Sequence, residues 1–265
     1  MYAEERRRQI ASLAAVAGRV NVTELADRFE VTAETIRRDL AILDHEGSVQ
    51  RVHGGAVASQ NFQTTEYTLD VRARSAQAAK RAIARTALQF LPEPGSSIFF
   101  DSGTTLGALG DLFTKLPTAQ QYSVTTNSLP ISLAMSSAGL NSVQLLGGNV
   151  RAITQAVVGD TALRTLALIR ADVAFVGTNA LTVDHGLSTA DAQEAAVKRA
   201  MIMNARKVIV LCDSSKLGCD YLVSFSTIGD IDVLITDSNA PSIFIEQLRL
   251  HGIDVVIADT GNSKN

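Results

Sequence analysis

Cysteine is almost missing from this chain. Cys212 and Cys219 are the only two in 265 residues, and their separation fits no metal-binding template. So low a thiol content excludes a disulfide-built scaffold and suits a reducing compartment. Proline is scarce, with five against 18 glycines, and together with the high apolar content this describes a soluble globular protein with ample core. No apolar run approaches the ~20 residues of a membrane-spanning helix. The N-terminus is charged from Glu4 to Arg8 and lacks the apolar region of a signal peptide, so a cytoplasmic location is expected. Neither Gly-x-Gly-x-x-Gly nor Gly-Lys-Ser/Thr occurs, which argues against a dinucleotide or ATP. No cofactor and no metal are expected. Charge is also short on one side: the net value of −3 gives bulk electrostatics no part in nucleic-acid binding.

At 265 residues the chain exceeds the usual size of one domain, and two are expected. The first 58 residues hold eight arginines, no lysine and nine acids, so any DNA surface here must come from local clustering of arginine. Residues 4–17 predict a helix with Ile10, Leu13, Ala14 and Ala17 inward and Gly18 as its stop. A short strand at 20–22 follows, then a helix Glu24–Phe29 capped by Thr23. Val31 to Leu40, continuing to Gly47, predicts a second short helix. Thr32 is a good N-cap, Glu34 sits where the helix dipole favours a carboxylate, and Ile36, Leu40 and Leu43 mark one buried stripe. Opposite that stripe lie Glu34, Thr35, Arg38, Ala41 and His45, with Arg37 on the flank. Val49 and Val52 with Gly54-Gly55 suggest a β-hairpin that carries Arg51 and His53. Two helices joined by a tight turn, then a basic hairpin, make a winged helix-turn-helix. Thr32, Glu34, Thr35, Arg37, Arg38, Arg51 and His53 are the residues placed to meet double-stranded DNA, in the major groove or on its backbone.

Arg-Arg-Arg-Gln-Ile (6–10), Val-Asn-Val-Thr-Glu-Leu-Ala (20–26), Thr-x-x-Thr-Ile-Arg-Arg-Asp-Leu (32–40) and Arg-Val-His-Gly-Gly-Ala (51–56) together resemble the DeoR family of bacterial transcription repressors. The resemblance implies operator binding through this first domain.

Residues 58–69 are polar and aperiodic and are expected to open a linker. From Asp70 to Leu91 a helical period returns, with Ala79, Ile83, Ala87 and Phe90 on one side. Beyond it seven strand-like runs alternate with helix-like segments: Ser97–Phe100, Tyr122–Thr125, Ser142–Leu146, Val173–Val176, Lys207–Leu211, Val233–Thr236 and Asp254–Ile257. Such alternation predicts a mostly parallel α/β sheet covered by helices, with ligands at the carboxyl ends of its strands. Those ends are rich in glycine and hydroxyls. They read Asp101-Ser102-Gly103-Thr104-Thr105, then Thr125-Thr126-Asn127-Ser128, then Gly147-Gly148-Asn149-Val150-Arg151. The fourth is Gly177-Thr178-Asn179 and the fifth Asp213-Ser214-Ser215-Lys216. Backbone N–H groups and short donors at a strand-to-helix turn suit an anion, and Arg151 and Lys216 would supply cations for a phosphate. Glu194 and Lys198 share one helix face at i, i+4, where an ordinary ion pair is the alternative to a site.

The resemblance continues through these motifs and Gly-Leu-Ser-Thr (186–189) over nearly the whole chain. It implies a sensor domain similar in fold to ribose-5-phosphate isomerase and the CoA-transferases, binding a sugar phosphate and assembling as a dimer or tetramer. The implied division is 1–57 winged helix-turn-helix, 58–75 linker, and 76–260 sensing and oligomerisation. Within the family the chain resembles actinobacterial repressors of sugar phosphotransferase and fructose genes, which implies a fructose or related hexose phosphate as effector. The rival reading is a sugar-phosphate isomerase with an appended winged helix, since Asp101, Glu194, Lys198 and Asp213 include groups able to move protons. A fold shared with enzymes does not confer activity, and an isomerase has no use for a DNA reader. A repressor is the expectation.

Overall fold

In this computed structural model the described residues are 3–17, 19–45, 48–52, 54–58, 66 and 68–260. His53 and the two expected helix stops, Gly18 and Gly47, lie outside them.

The chain begins with α1 (Ala3–Ala17), β1 (Arg19–Asn21), α2 (Val22–Phe29), α3 (Ala33–His45), β2 (Val49–Val52) and β3 (Gly55–Ala58). The three strands form an antiparallel sheet in the order β1-β3-β2. Helix and hairpin share one core, in which Ile10, Ala14, Leu25, Phe29, Ile36, Leu40, Leu43 and Val49 are buried. The start of α2 differs from expectation: Asn21, not Thr23, is its cap, and Asn21 Oδ1 accepts from the Thr23 backbone N–H at 2.8 Å. Asp39 also departs from a plain polar face. It is buried, where it meets Arg6 Nε at 2.6 Å and Arg7 at 3.6 Å, so α1 is tied to α3 by charge as well as by apolar packing.

The larger part runs α4 (Leu69–Arg74), α5 (Gln77–Ala87), β4 (Ser97–Phe100), α6 (Thr104–Phe113), β5 (Ser123–Thr126), α7 (Leu129–Ser137) and β6 (Val143–Leu145). It continues with β7 (Asn149–Arg151), β8 (Ala156–Val158), α8 (Asp160–Leu168), β9 (Ala171–Gly177), β10 (Ala180–Thr182), β11 (Gly186–Thr189) and α9 (Ala192–Met203). The last elements are β12 (Ala205–Leu211), β13 (Val223–Ser226), β14 (Val233–Asp237), α10 (Ser242–Leu250) and β15 (Asp254–Ala258). Seven of these strands make one sheet in the order β15-β14-β12-β9-β4-β5-β6, with every neighbouring pair parallel. They are the seven strands the sequence predicts.

Alternate side chains point to opposite faces of such a sheet, and two cores result. Ile98, Phe100, Phe175, Ile209 and Ile235 face Ile83, Leu106, Leu109 and Met135 of α5, α6 and α7. Phe99, Ala174, Val176, Val210 and Leu234 face Leu166, Val197, Met201, Phe244 and Leu248 of α8, α9 and α10. The sheet grows in one direction from β4 to β5 and β6 and in the other from β9 to β15. Its switch point therefore lies between β4 and β9, where crossover helices depart to opposite sides and leave a crevice.

Three features depart from the sequence reading. The single helix expected from Asp70 to Leu91 is broken at Ser75 and Ala76, where Ala76 takes a left-handed conformation (φ 49), so α4 and α5 meet at an elbow. The Gly147–Arg151 segment enters a β7–β8 hairpin, and β10, β11 and β13 form a small separate sheet. No helix among the described residues is long and apolar enough to cross a membrane.

Candidate reading face and anion cleft

Helix α3 presents its polar face to solvent. Thr32 Oγ1 accepts from the Thr35 N–H at 3.2 Å and lies 2.9 Å from Thr35 Oγ1, which satisfies an otherwise orphaned donor of the first turn. Arg37 reaches Glu34 at 3.3 Å, an exposed pair that water screens. Arg38 is exposed and makes no ion pair among the described residues. Arg51 is exposed on β2, its backbone N–H held by Asp44 Oδ1 at 2.9 Å, which fixes the hairpin against the end of α3. Thr32, Glu34, Thr35, Arg37, Arg38 and Arg51 thus sit on two adjacent elements. His53 belongs to the undescribed residues.

The second site opens at the switch point. A cleft lies over the carboxyl ends of β4, β9 and β12. Its walls bring together Ser102, Gly103, Thr104, Thr105, Gly177, Thr178, Lys198, Asp213 and Lys216, all candidates from the sequence. Gly103 precedes α6 with φ 125, a left-handed backbone that lets the helix begin abruptly and turn its first N–H groups toward the cleft. Beneath the cleft Asp101 is fully buried. Its Oδ2 accepts from the Gly177 N–H at 2.9 Å and from Lys198 Nζ, which also donates to Gly177 O at 3.0 Å. Asp101 and Lys198 are therefore spent on each other and clamp β4 to β9 and α9. A Cβ at residue 177 would stand 2.9 Å from the end of the Leu106 side chain, which would have to shift, and 3.7 Å from that carboxylate.

Two cations in the cleft had no signal in the sequence. Arg72 of α4 lines it and donates to Asn179 Oδ1 at 3.3 Å, which brings Asn179 to its rim. Lys80 of α5 is buried, and its ammonium donates to Arg72 O at 2.5 Å, Ser75 O at 2.9 Å and Ser75 Oγ at 3.3 Å. Lys80 has no carboxylate partner among the described residues. Burial pushes its pKa down to about 8; Asp213 opposes that shift, while Lys216 and Arg72 add to it. Only their placement in the fold exposes them, since on α5 Lys80 looks like any polar residue between apolar ones.

The remaining candidates lie elsewhere. The pairing of Glu194 with Lys198 does not form. Glu194 accepts from Arg151 at 2.5 Å and from Thr154 Oγ1, while Lys198 turns to Asp101. Arg151 does not stand beside Lys216. Its guanidinium is enclosed by Glu66 (2.9 and 2.7 Å), Glu194 and Asp191 (3.4 Å), and hydrogen bonding to Glu66 is the main cause holding it more firmly protonated than usual. With three carboxylates around it, Arg151 ties Glu66 and the start of α9 to the β7–β8 hairpin. Gly148 serves close packing, since a Cβ there would fall 2.3 Å from Val158 O; Gly147 lies beside Thr161. Thr126 Oγ1 accepts from the Ser128 N–H at 3.0 Å, and Ser128 caps α7. The buried Asn127 amide finds no hydrogen-bond partner among the described residues. Ser215 faces away from the cleft, its hydroxyl held by Asp213 Oδ1 at 2.5 Å.

These two sites are joined by what the chain is similar to. A family model described as the DeoR-like helix-turn-helix domain matches residues 6–62, and one described as the DeoR C terminal sensor domain matches residues 75–238. The chain belongs to the DeoR family. It is a DNA-binding transcriptional repressor of that family and not an enzyme. The HTH-type transcriptional regulator GlpR of Haloferax volcanii is 36% identical over 97% of this chain and 98% of its own length. The lactose phosphotransferase system repressor of Streptococcus mutans is 33% identical over 89% of this chain and 93% of its own. The glycerol-3-phosphate regulon repressor of Escherichia coli is 29% identical over 96% and 99%. Among solved structures, ribose 5-phosphate isomerase A of Methanocaldococcus jannaschii aligns over 54% of this chain and 55% of its own, with 17% identity and a TM-score of 0.40.

Proposed function

We propose that this DeoR-family repressor is released from its operator by a phosphorylated sugar held in the cleft between β4, β9 and β12. The observation that carries this reading is the buried Lys80 ammonium, which meets only two carbonyls and a hydroxyl, with Arg72 and Lys216 beside it. Among the described residues Asp213 sets its charge against that ammonium without pairing with it, and a phosphate dianion at the start of α6 would balance the remaining cations. Arg72, Lys80, Lys216 and the 102–105 turn then grip the phosphate, while Asp101 and Lys198 hold the floor. The relatives named for lactose phosphotransferase and glycerol-3-phosphate regulons support a small phosphorylated carbohydrate as the class, and a fructose or related hexose phosphate is the member we favour.

In this reading residues 1–57 read the operator, 58–75 link, and 76–260 sense and assemble. A winged helix reads one half-site, so the functional unit is a symmetric dimer or a tetramer built from dimers. Arg38 meets a base edge and Arg51 a phosphate of the second contact zone. The test is a thermal-shift screen against a panel of sugar phosphates, followed by gel-shift titration of operator complexes with each ligand that binds. Selective binding to the native state raises stability by about 2.7 kcal/mol at ~100 times Kd. A panel without any stabilising member, or a stabilising ligand that leaves operator affinity unchanged, overturns the proposal.

A further inference from the structure

One short turn stands between the cleft and the DNA-reading helices. Residues Ser214–Lys216 form a single 3-10 turn after β12. On one side Asp213 and Lys216 line the anion cleft. On the other, Ser214 and Ser215, with Asn239 and Pro241, line a second, shallow cleft, whose opposite wall is made of Glu5, Arg8, Gln9 and Leu13 of α1 and Arg28 of α2. The turn is held by two carboxylates. Asp237 accepts from the Ser214 N–H at 2.7 Å and its hydroxyl at 2.9 Å, and Asp213 accepts from the Ser215 N–H at 3.2 Å and its hydroxyl. One residue along α1 from this wall, Arg6 and Arg7 grip Asp39 of α3. Arg8 is also near enough to the cleft for its charge to act on Lys80.

We propose that this seam between the Ser214–Lys216 turn and α1 is the surface through which cleft occupancy alters operator binding. The proposal rests on the sugar-phosphate reading of the cleft. A phosphate beside Lys216 draws its ammonium inward and repels the Asp213 carboxylate, whose other oxygen contacts fix Ser215. Both forces act on one short turn, at its cap Asp213 and at its end Lys216, and its Ser214 and Ser215 line the seam. A shift of the turn changes how α1 docks, and α1 carries the shift to α3 through the buried Arg6–Asp39 pair. Coupling of this kind is a free energy shared by two sites, so operator binding must alter ligand affinity by the same factor.

The chain contains no tryptophan, so one indole at the seam reports on it alone. Two variants place that indole on opposite walls, Gln9→Trp on α1 and Asn239→Trp after β14. Each is titrated with fructose 1-phosphate, fructose 6-phosphate, glucose 6-phosphate and inorganic phosphate, following melting temperature, indole emission and operator affinity together. The expected result is a ligand that raises the melting temperature of parent and variants alike and shifts indole emission at the seam. In the parent that ligand changes operator affinity at least tenfold; with the bulky indole wedged in the seam the change falls below about twofold. A ligand that stabilises all three proteins while emission stays fixed and the operator response is undiminished overturns the seam and leaves the cleft reading standing. A panel in which nothing stabilises the parent overturns the cleft reading, and the seam with it.

Discussion

In the reader, the buried guanidinium of Arg6 lies 2.6 Å from the buried carboxylate of Asp39. In the cleft, the buried ammonium of Lys80 meets the carbonyls of Arg72 and Ser75 and one hydroxyl. Both cations are taken from water at similar depth. The first is paired within the chain and joins two helices; the second has no carboxylate bonded to it among the described residues and shares its cleft with Arg72 and Lys216 as well as Asp213. Arg151, with three carboxylates, follows the pattern of Arg6 although it comes from the same half of the molecule as Lys80. A buried charge that the fold itself balances builds structure, and one that it leaves unbalanced marks where a ligand's charge belongs.

The comparison is broken most forcefully from the Arg6 side. Asp39→Ala leaves a buried guanidinium without its carboxylate and is expected to destabilise the reader by about 3–5 kcal/mol. Urea unfolding of the variant against the parent measures this, and an unchanged midpoint would sink the contrast. Lys80→Ala is the counterpart in the cleft. It should weaken the effector by about 1.5–3 kcal/mol, read as a lost thermal shift, with operator affinity intact. The same lysine sets a pH signature. Its native pKa of about 8 lies below the unfolded 10.5, so below pH about 8 both states hold the proton and the burial penalty is present in full. Between about 8 and 10.5 the native state has shed the proton that the unfolded chain keeps, and stability climbs. Effector affinity moves the opposite way, falling up to about tenfold per pH unit above ~8 as the ammonium is lost. Calorimetric titrations at pH 7, 8 and 9 test this, and Lys80→Ala should flatten the profile.

At the exposed face the effects are confined to DNA. Arg38→Ala should cost about 1–3 kcal/mol of operator affinity with an unaltered melt, since the side chain is exposed opposite the Ile36/Leu40/Leu43 stripe. A folded variant that binds as the parent does would remove Arg38 from the reading face. The smallest change is expected at Arg51→Ala, which should lower specific and non-specific affinity alike and reduce the salt slope by about one. A loss limited to a single operator base pair would assign Arg51 to base reading instead.

The sheet was legible because a parallel strand buried on both faces is written as a continuous apolar run, and runs such as Ile98–Phe100 and Val208–Leu211 leave no other option. The Thr32 cap and the Ile36/Leu40/Leu43 stripe were legible for the same reason: each is decided within a few residues. What escaped depends on segments far apart. Arg151 looked like a phosphate cation because nothing near it in sequence announces Glu66, 85 residues before, or Glu194, 43 after. Lys198 was matched with Glu194 at helical spacing, yet its partner Asp101 is 97 residues away. Lys80 and Arg72 escaped altogether. The elbow at Ala76 that aims them inward uses a left-handed alanine, which carries no composition signal.

The separation of the two cores also has a consequence for how the protein is made. Among the described residues the reader's apolar cluster draws on Ile10 to Ala56, so it is in place once the first quarter of the chain has left the ribosome. The cleft has to wait. Asp101 meets Gly177 across 76 residues and Lys198 across 97, and the sheet that holds them closes only with β15 at Ala258. Contacts that distant form slowly, and domains fold as they emerge. A message cut short after the winged helix therefore yields a fragment with the reading helix assembled and without the cleft. Such a fragment lacks the part proposed to assemble the protein, so it would meet DNA through a single winged helix and one half-site.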